Sequence, residues 1–384
     1  MKKKPSRKKK PLPKLVADVP AGRATIRYYC PKAMEPWDYR SMDNGGIGGS
    51  ETHVAIVAAE LAKLGHDVAV YAPLAPECPA ENAGVSWRSL ADVDPTEDAI
   101  WIIQRYPEAL AEFDFKGDVW VHLHDVMPAN RWQEDWAKRA RRVVCQSQFH
   151  AMYTERHTPS LNGQVTWVGS GARVDLFERI EAEEVERVPY KLIWASDPSR
   201  GLAQAVLPLW RFIRRAVPHA ELHIYYGWTV ANNIIEHGGD PVRALELRQL
   251  KETVQGYLKQ PGVYWHGRVG QERLYREWLN SGVWLYPTDW PEVCCIAAME
   301  AQCGGAIPII SPWWALRENV KHGIVVNGHP YNDGLTQATF VSAVQMLAME
   351  PHTQAKFREK MIPDARQRFS WDRVVERMEA LITC

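Results

Sequence analysis

Two acidic residues, Glu292 and Glu300, stand eight positions apart at either end of an apolar run in DWPEVCCIAAMEAQCGGAIPIIS (289–311). On one continuous helix that spacing means about 12 Å of rise and roughly 80° of rotation, so the pair cannot share a ligand atom. With Glu292 in the loop at the helix mouth, the two carboxylates could instead hold opposite ends of one extended ligand. The free amides of residues 293–296 would lie between them, and such amides together with the helix dipole favour an anion such as a diphosphate. The same pattern is met by an acid that simply favours a helix N-terminus and by a partnered core carboxylate. GGIGGSE (45–51) has glycines that let the backbone approach a ligand closely, or that form a plain tight turn. It is not a dinucleotide fingerprint, because Glu51 stands where the third glycine should be. SDPSRGL (196–202) puts Arg200 at a sheet rim, where its planar fork suits phosphate oxygens or a surface carboxylate. VHLHD (121–125) gathers His122, His124 and Asp125 at a strand end, and alternation carries both imidazoles to one face. They could position a ligand or be structural; a metal site would need a third ligand that the sequence does not supply.

The elements around these segments set their geometry. ATIRYYCP (24–31) reads as a strand, the glycine segment follows, and ETHVAIVAAELAKLG (51–65) predicts a helix with Val54, Val57, Ala58, Leu61 and Leu64 on one face. HDVAVYAP, AIWIIQR (99–105), DVWVHLHD (118–125) and RRVVCQS (141–147) are strands of the buried type. A second run starts at KLIWASD (191–197), with a helix over about 202–216. The strands ELHIYYGW (221–228), GVYWHGRV (262–269), GVWLYPTD (282–289) and AIPIIS (306–311) follow. An apolar helix is predicted from about Val293 to Cys303, stopping at Gly304-Gly305. The acidic, glycine-poor stretch FERIEAEEVERVPY (177–190) separates the runs, so the boundary falls near residue 186. The fold class is α/β, two Rossmann-like parallel-sheet domains facing a central cleft, where the carboxyl ends of such strands bind ligands.

The 384 residues, 46% hydrophobic and 24% charged, suffice for two cores and exclude disorder of the whole chain. No run of about 18 apolar residues and no secretory signal is present, which points to the cytoplasm. Seven cysteines without a Cys-x-x-Cys pair argue against disulfides and structural zinc. Lys and Arg number 46, as do Asp and Glu, but eight of the basic residues fall in residues 1–14, leaving 38 basic against 46 acidic in the remainder. Residues 1–22 therefore read as a disordered basic tail. Through residues 2–14 it could make peripheral contact with an anionic membrane or a nucleic acid, or serve only as a solubilising extension. The 17 tryptophans fall mostly in apolar strands and helices and read as core.

In this order and spacing the segments resemble a GT-B fold glycosyltransferase of the large family-four retaining group, over roughly residues 24–382. The carriers are GGIGGSETHVAIVAAELAKLGHDVAVYA, HLHD, GSGARVDLF (169–177), SRGL, HIYYGW, WHGRV, and Glu292 and Glu300 leading into GAIPIIS. RFSWDRVVERMEALI (368–382) is similar to the family's final helix. The resemblance implies an N-terminal acceptor-side domain (23–185), a C-terminal nucleotide-sugar-binding domain (186–362) and a last helix (363–384) crossing back. It implies that Glu292 contacts the donor sugar and Glu300 the nucleotide ribose. The amides of Val293, Cys294 and Cys295 would face the diphosphate, with Gly48 and Gly49 closing over it. Arg268 and Val269 would lie beside the base, Ser196 and Gly227 on the donor side, and His124 near the transferred sugar. Arg200, Glu292 and His124 are the candidate catalytic residues.

The reaction implied is retaining transfer, by front-face attack, from a UDP- or GDP-type sugar to a glycan, lipid-linked or other hydroxyl acceptor. The donor is a substrate and no cofactor or metal is needed; Asp92-Val93-Asp94 is read as a decoy for a metal motif. Two departures stand out: Ala195 replaces the usual arginine partner of Arg200, and Trp313-Trp314 stand where small glycines are common, which would narrow the sugar pocket. Transfer to a modified base in DNA, a sugar-nucleotide epimerase or phosphorylase, and a sugar-nucleotide binding module with reduced catalysis are the alternative readings.

Overall fold

The computed structural model describes residues 22–128 and 131–384. Residues 1–21 of the basic tail read over 1–22, and with them the segment 2–14 read as a possible membrane or nucleic-acid contact, lie outside the described residues. Short, nearly unbroken apolar runs such as DVAVYA, AIWIIQ and SGVWLY bury both faces when helices cover each side of a parallel sheet. They do so here. The first sheet comprises β1 (Thr25–Tyr29), β2 (Asp67–Ala72), β3 (Glu81–Asn82), β4 (Val85–Ser89), β5 (Ala99–Gln104), β6 (Gly117–His122), β7 (Arg142–Cys145) and β8 (Val165–Trp167). Its order is β3-β4-β2-β1-β5-β6-β7-β8, parallel except for the β3–β4 pair. The second comprises β9 (Val188–Trp194), β10 (Glu221–Ile224), β11 (Val263–Trp265), β12 (Ser281–Tyr286), β13 (Ile307–Ile310) and β14 (Ile324–Val325), in the order β11-β10-β9-β12-β13-β14. Chain direction across the sheets reverses between β1 and β5 and between β9 and β12, and such switch points leave a crevice at the strands' carboxyl ends.

Several local expectations shift. The acidic stretch 177–190 is no bare linker: it contains the end of the helix Val174–Glu181 and the start of β9. β4 and β8, with β3 and β14, escape a reading based on long apolar runs because they are short edge or near-edge strands. The helix after the glycine segment runs Gly49–Lys63 and is buried on almost every side, His53, Ala55, Ile56 and Ala59 included, while Leu64 is exposed. One-face periodicity fails here because two layers cover the helix, the sheet on one side and the helix Trp371–Ile382 on the other.

That last helix starts in the second half of the molecule and buries Trp371, Val374, Val375 and Met378 in the first domain's core. It is fixed there by Arg377 Nε, which donates to the Val168 carbonyl at 2.6 Å, and by His66 Nε2 against Glu379 Oε2 at 2.8 Å. Seven fully buried large side chains are tryptophans, Trp194, Trp278 and Trp284 among them, in keeping with their core reading. All seven cysteines are free thiols. Among the described residues no helix is long and apolar enough to cross a membrane. Truncating Trp371 to Ala should cost about 3–5 kcal/mol of stability, read as a lower urea midpoint; an unchanged midpoint would mean that the crossing helix does not hold the first domain.

Candidate functional site

Arg200 closes a short 3-10 turn, Pro198–Arg200, whose Asp197 side chain accepts from Ser199 N. Gly201 follows at φ +119, and a Cβ there would stand 2.4 Å from the Pro287 carbonyl oxygen, so only glycine fits. This close approach brings the carboxyl ends of β9 and β12 together and aims Arg200 at the loop after β12. Arg200 Nη1 donates to Glu292 Oε1 at 3.1 Å and lies 3.4 Å from Oε2. The Tyr286 hydroxyl donates to the same Oε1 at 2.6 Å. Glu292 is buried, whereas the Arg200 side chain is 36% exposed, its guanidinium 5.2 Å from the Trp290 ring centre. Burial opposes the charge on Arg200, but the Glu292 carboxylate outweighs it and moves the guanidinium's pKa upward. Only Nη1 is engaged: Nε and Nη2 hydrogen-bond to no protein group among the described residues, leaving half of the fork unoccupied.

The helix carrying Glu300 is Ile296–Gly304, beginning three residues later than expected, with Cys295 as its N-cap. Glu292, Val293 and Cys294 therefore belong to a loop. That loop is held by Ala315 N donating to the Glu292 carbonyl at 2.9 Å and by Ser147 Oγ, from the first domain, donating to the Val293 carbonyl at 2.6 Å. Of the three amides assigned to a diphosphate, that of Cys295 donates to Asn319 Oδ1 at 3.0 Å, because the asparagine reaches over to cap the helix. Glu300 is buried and accepts from Trp278 Nε1 at 3.1 Å. Burial raises its pKa from the ordinary 4.5 to about 7, and hydrogen bonds from Tyr275 and Trp278 only partly counter this.

The glycine segment meets this region from the other side. Gly48 is the N-cap of the helix Gly49–Lys63, and a Cβ on Gly49 would be 3.0 Å from Ile296 Cδ1, at the start of the Glu300 helix. Gly46, at φ +80, approaches Val269: a Cβ would lie 2.9 Å from its carbonyl oxygen. Gly227 lies against Arg268, whose Nη1 pairs with Glu35 Oε1 of the first domain at 2.6 Å. Ser196 is buried at the end of β9 and its carbonyl accepts from Trp194 Nε1 at 2.6 Å.

Across the cleft, His124 Nε2 sits 2.6 Å from Gln104 Oε1, and its ring centre is 4.4 Å from that of His122 and 5.4 Å from that of His53. Burial, reinforced by the neighbouring rings, holds His122 and His124 well below the usual histidine range, and burial alone takes His53 to about 3. All three are neutral at physiological pH. Trp314 adopts φ +51, a left-handed conformation costing a bulky residue about 1–3 kcal/mol, and packs on Phe149 and Tyr153 of the first domain. Trp313 is the exposed member of the pair, near His329. Beside them Glu318 accepts from the amides of Gln148 and Phe149 at the N-terminus of the helix Gln148–His157. Asp92 and Asp94 bind their own turns, through Ser89 N and through Thr96 N and Oγ1.

The structure thus gathers Arg200, Glu292, Val293, Gly49 and the start of the Glu300 helix at one place, with Arg268 and Val269 beside the glycine segment. It adds residues that sequence reasoning missed. Tyr286 and Ser147 each end or follow an apolar strand, the position that faces the crevice. Glu35 and Glu318 carry no local signal, since their partners lie in the other domain.

No protein-family model matches the sequence, and no curated protein matches it. Solved structures do. Sucrose-phosphate synthase from Thermosynechococcus elongatus superposes with a TM-score of 0.65 at 16% identity, covering 92% of this chain and 98% of that one. HepE from Anabaena, solved in complex with UDP, gives 0.65 at 13% identity, covering 93% and 99%. Trehalose 6-phosphate synthase from Burkholderia multivorans gives 0.66 at 12% identity, covering 94% and 96%. The chain has the GT-B fold.

The raised pKa of Glu300 has a consequence for stability. Below pH 4.5 the carboxyl is protonated in both folded and unfolded chains; as pH rises to about 7 the unfolded chain ionises first, so stability is lost across that window. Glu300→Gln removes the titration. Its unfolding free energy relative to the parent should grow by about 3 kcal/mol between pH 4.5 and pH 7.5, measured by urea denaturation; a constant difference would contradict the burial of this acid.

Proposed function

We propose that the protein is a metal-independent, retaining glycosyltransferase that moves a sugar from a nucleoside diphosphate sugar to a hydroxyl acceptor. The observation that carries this reading is the half-engaged guanidinium of Arg200 beside buried Glu292, at the carboxyl ends of β9 and β12 in a GT-B fold. In the proposed reaction the bond from the anomeric carbon to the diphosphate breaks and the electron pair leaves with the diphosphate. The acceptor oxygen bonds to the same face of that carbon, and its proton passes to the departing phosphate oxygen. No protein nucleophile takes part. Nε and Nη2 of Arg200 would receive the developing charge, which a preorganised donor stabilises without reorganisation. Glu292, oriented by Tyr286, would accept from hydroxyls of the donor sugar, and Glu300 would hold the nucleotide ribose. The amides of Val293 and Cys294, Gly48 and Gly49 would face the diphosphate, Arg268 and Val269 the base, with Ser196 and Gly227 supporting that side.

A uridine donor is the first expectation, because the similar HepE was solved with UDP and with UDP-glucose. The acceptor would be a glycan or lipid-linked hydroxyl. A binding module with reduced catalysis is the second reading, favoured by Ala195, which leaves Arg200 without the usual second cation. The two part on turnover. Arg200→Ala should lower kcat/KM for the productive nucleotide sugar by about 10²–10³, with chelator leaving the parent's rate unchanged. Near-normal turnover in the variant, or loss of turnover with chelator, would overturn the mechanism, and donor binding without turnover across a broad acceptor panel would favour the binding module.

A further inference from the structure

A continuous line of polar side chains runs from the cleft into the core of the first domain. His124 Nε2 lies 2.6 Å from Gln104 Oε1, and Gln104 Nε2 lies 3.2 Å from His122 Nδ1. His122 Nε2 is 2.5 Å from the Gln146 carboxamide, whose other end is 2.9 Å from Ser170 Oγ, and Ser170 Oγ is 3.3 Å from His53 Nδ1. His122 and His53 are fully buried, while His124 is partly open to the cleft and its Nδ1 meets no protein group among the described residues. His53 Nε2, at the inner end, is buried without a partner.

A neutral imidazole has one donor and one acceptor nitrogen. With both carboxamides turned as above, His122 would face two N–H donors and have to accept at both nitrogens, which a neutral ring cannot do; one carboxamide must present its oxygen. If Gln146 turns, His122 and His124 carry the proton on Nε2 and Ser170 accepts from Gln146; its hydroxyl then donates to His53 Nδ1 rather than to the weakly accepting Cys294 sulfur beside it, so His53 also carries its proton on Nε2 and buries an N–H with no acceptor. If Gln104 turns, all three carry it on Nδ1, and His53 buries only a lone pair. A buried orphan donor is the costlier defect.

We infer that Gln104, His122, Gln146, Ser170 and His53 act as one polarised unit that fixes His124 in the Nδ1–H form, so that His124 offers the cleft a hydrogen-bond donor for a sugar oxygen. Gln104, Gln146 and Ser170 are positioning residues: they touch no substrate but decide whether the ring at the cleft donates or accepts. The identity of the oxygen rests on the glycosyl-transfer reading; the proton arrangement does not.

Neutron diffraction from crystals of the deuterated full-length protein tests the arrangement directly. Deuterium on Nδ1 of His53, His122 and His124 alike is expected; deuterium on Nε2 of all three, or a mixture of tautomers, would overturn it. Gln104→Glu supplies the functional arm, assayed at about pH 9, where the neighbouring carboxylate no longer holds His124 as the imidazolium; there the carboxylate can only accept and forces the neutral ring into the Nε2–H form. With UDP-glucose as the probe, kcat should fall at least tenfold while KM stays within twofold, and Gln104→Asn should recover less than the parent but more than Gln104→Glu. A Gln104→Glu enzyme with unchanged kcat would overturn the positioning role. A parent without turnover on any nucleotide sugar would count against the transfer reading alone, with the neutron map still deciding the proton arrangement.

Discussion

An arginine at the lip of a low-dielectric cleft needs a counter-charge, and removing that charge would leave a costly unpaired ion. Glu292 supplies it here through one nitrogen of the fork, and the Tyr286 hydroxyl keeps the carboxylate in place. The geometry is asymmetric in a useful way: the acid is buried and held by two donors, while the partly exposed cation has two nitrogens, Nε and Nη2, that hydrogen-bond to no protein group among the described residues. Such a pair stores a positive charge in position before any ligand arrives. Its orientation depends on Gly201, since no side chain fits between the Arg200 turn and the Pro287 carbonyl.

The rest of the molecule can be understood as holding two surfaces against that pair. The glycine segment of the first domain touches Val269 and Ile296, Ser147 grips the loop after Glu292, and the amides of Gln148 and Phe149 bind Glu318 on the short helix Leu316–Asn319. Trp314 accepts an unfavourable left-handed backbone in order to stack on Tyr153 and Phe149, which ties the strained loop to the domain interface. The helix Trp371–Ile382 closes the circuit by packing behind the helix that the glycine segment opens.

The fold class was legible because parallel strands buried on both faces announce themselves as unbroken apolar runs, and because glycine breaks mark the turns at their ends. Arg200, Glu292 and His124 stand out in the sequence for a related reason: each is a polar residue within a few positions after such a run. By the same rule Gln104, the last residue of β5, and Gln146, just after β7, could have been singled out beside His122. They were passed over because a glutamine carries no charge and signals nothing about its partner until the register pairs Gln104 with His122. The start of the Glu300 helix was missed by three residues because Asn319, twenty-four positions on, provides its cap. Glu35, Glu318 and Ser147 act across the domain interface, a contact that no local pattern encodes.

If the Arg200 fork serves glycosyl transfer, its free half receives a diphosphate while Glu292 holds the other half. A crystal structure of the protein with UDP bound decides this. Phosphate oxygens are expected within hydrogen-bond distance of Arg200 Nε or Nη2, with the Arg200 Nη1–Glu292 contact retained. A nucleotide bound outside the cleft, or with its phosphates out of reach of Arg200, would contradict it.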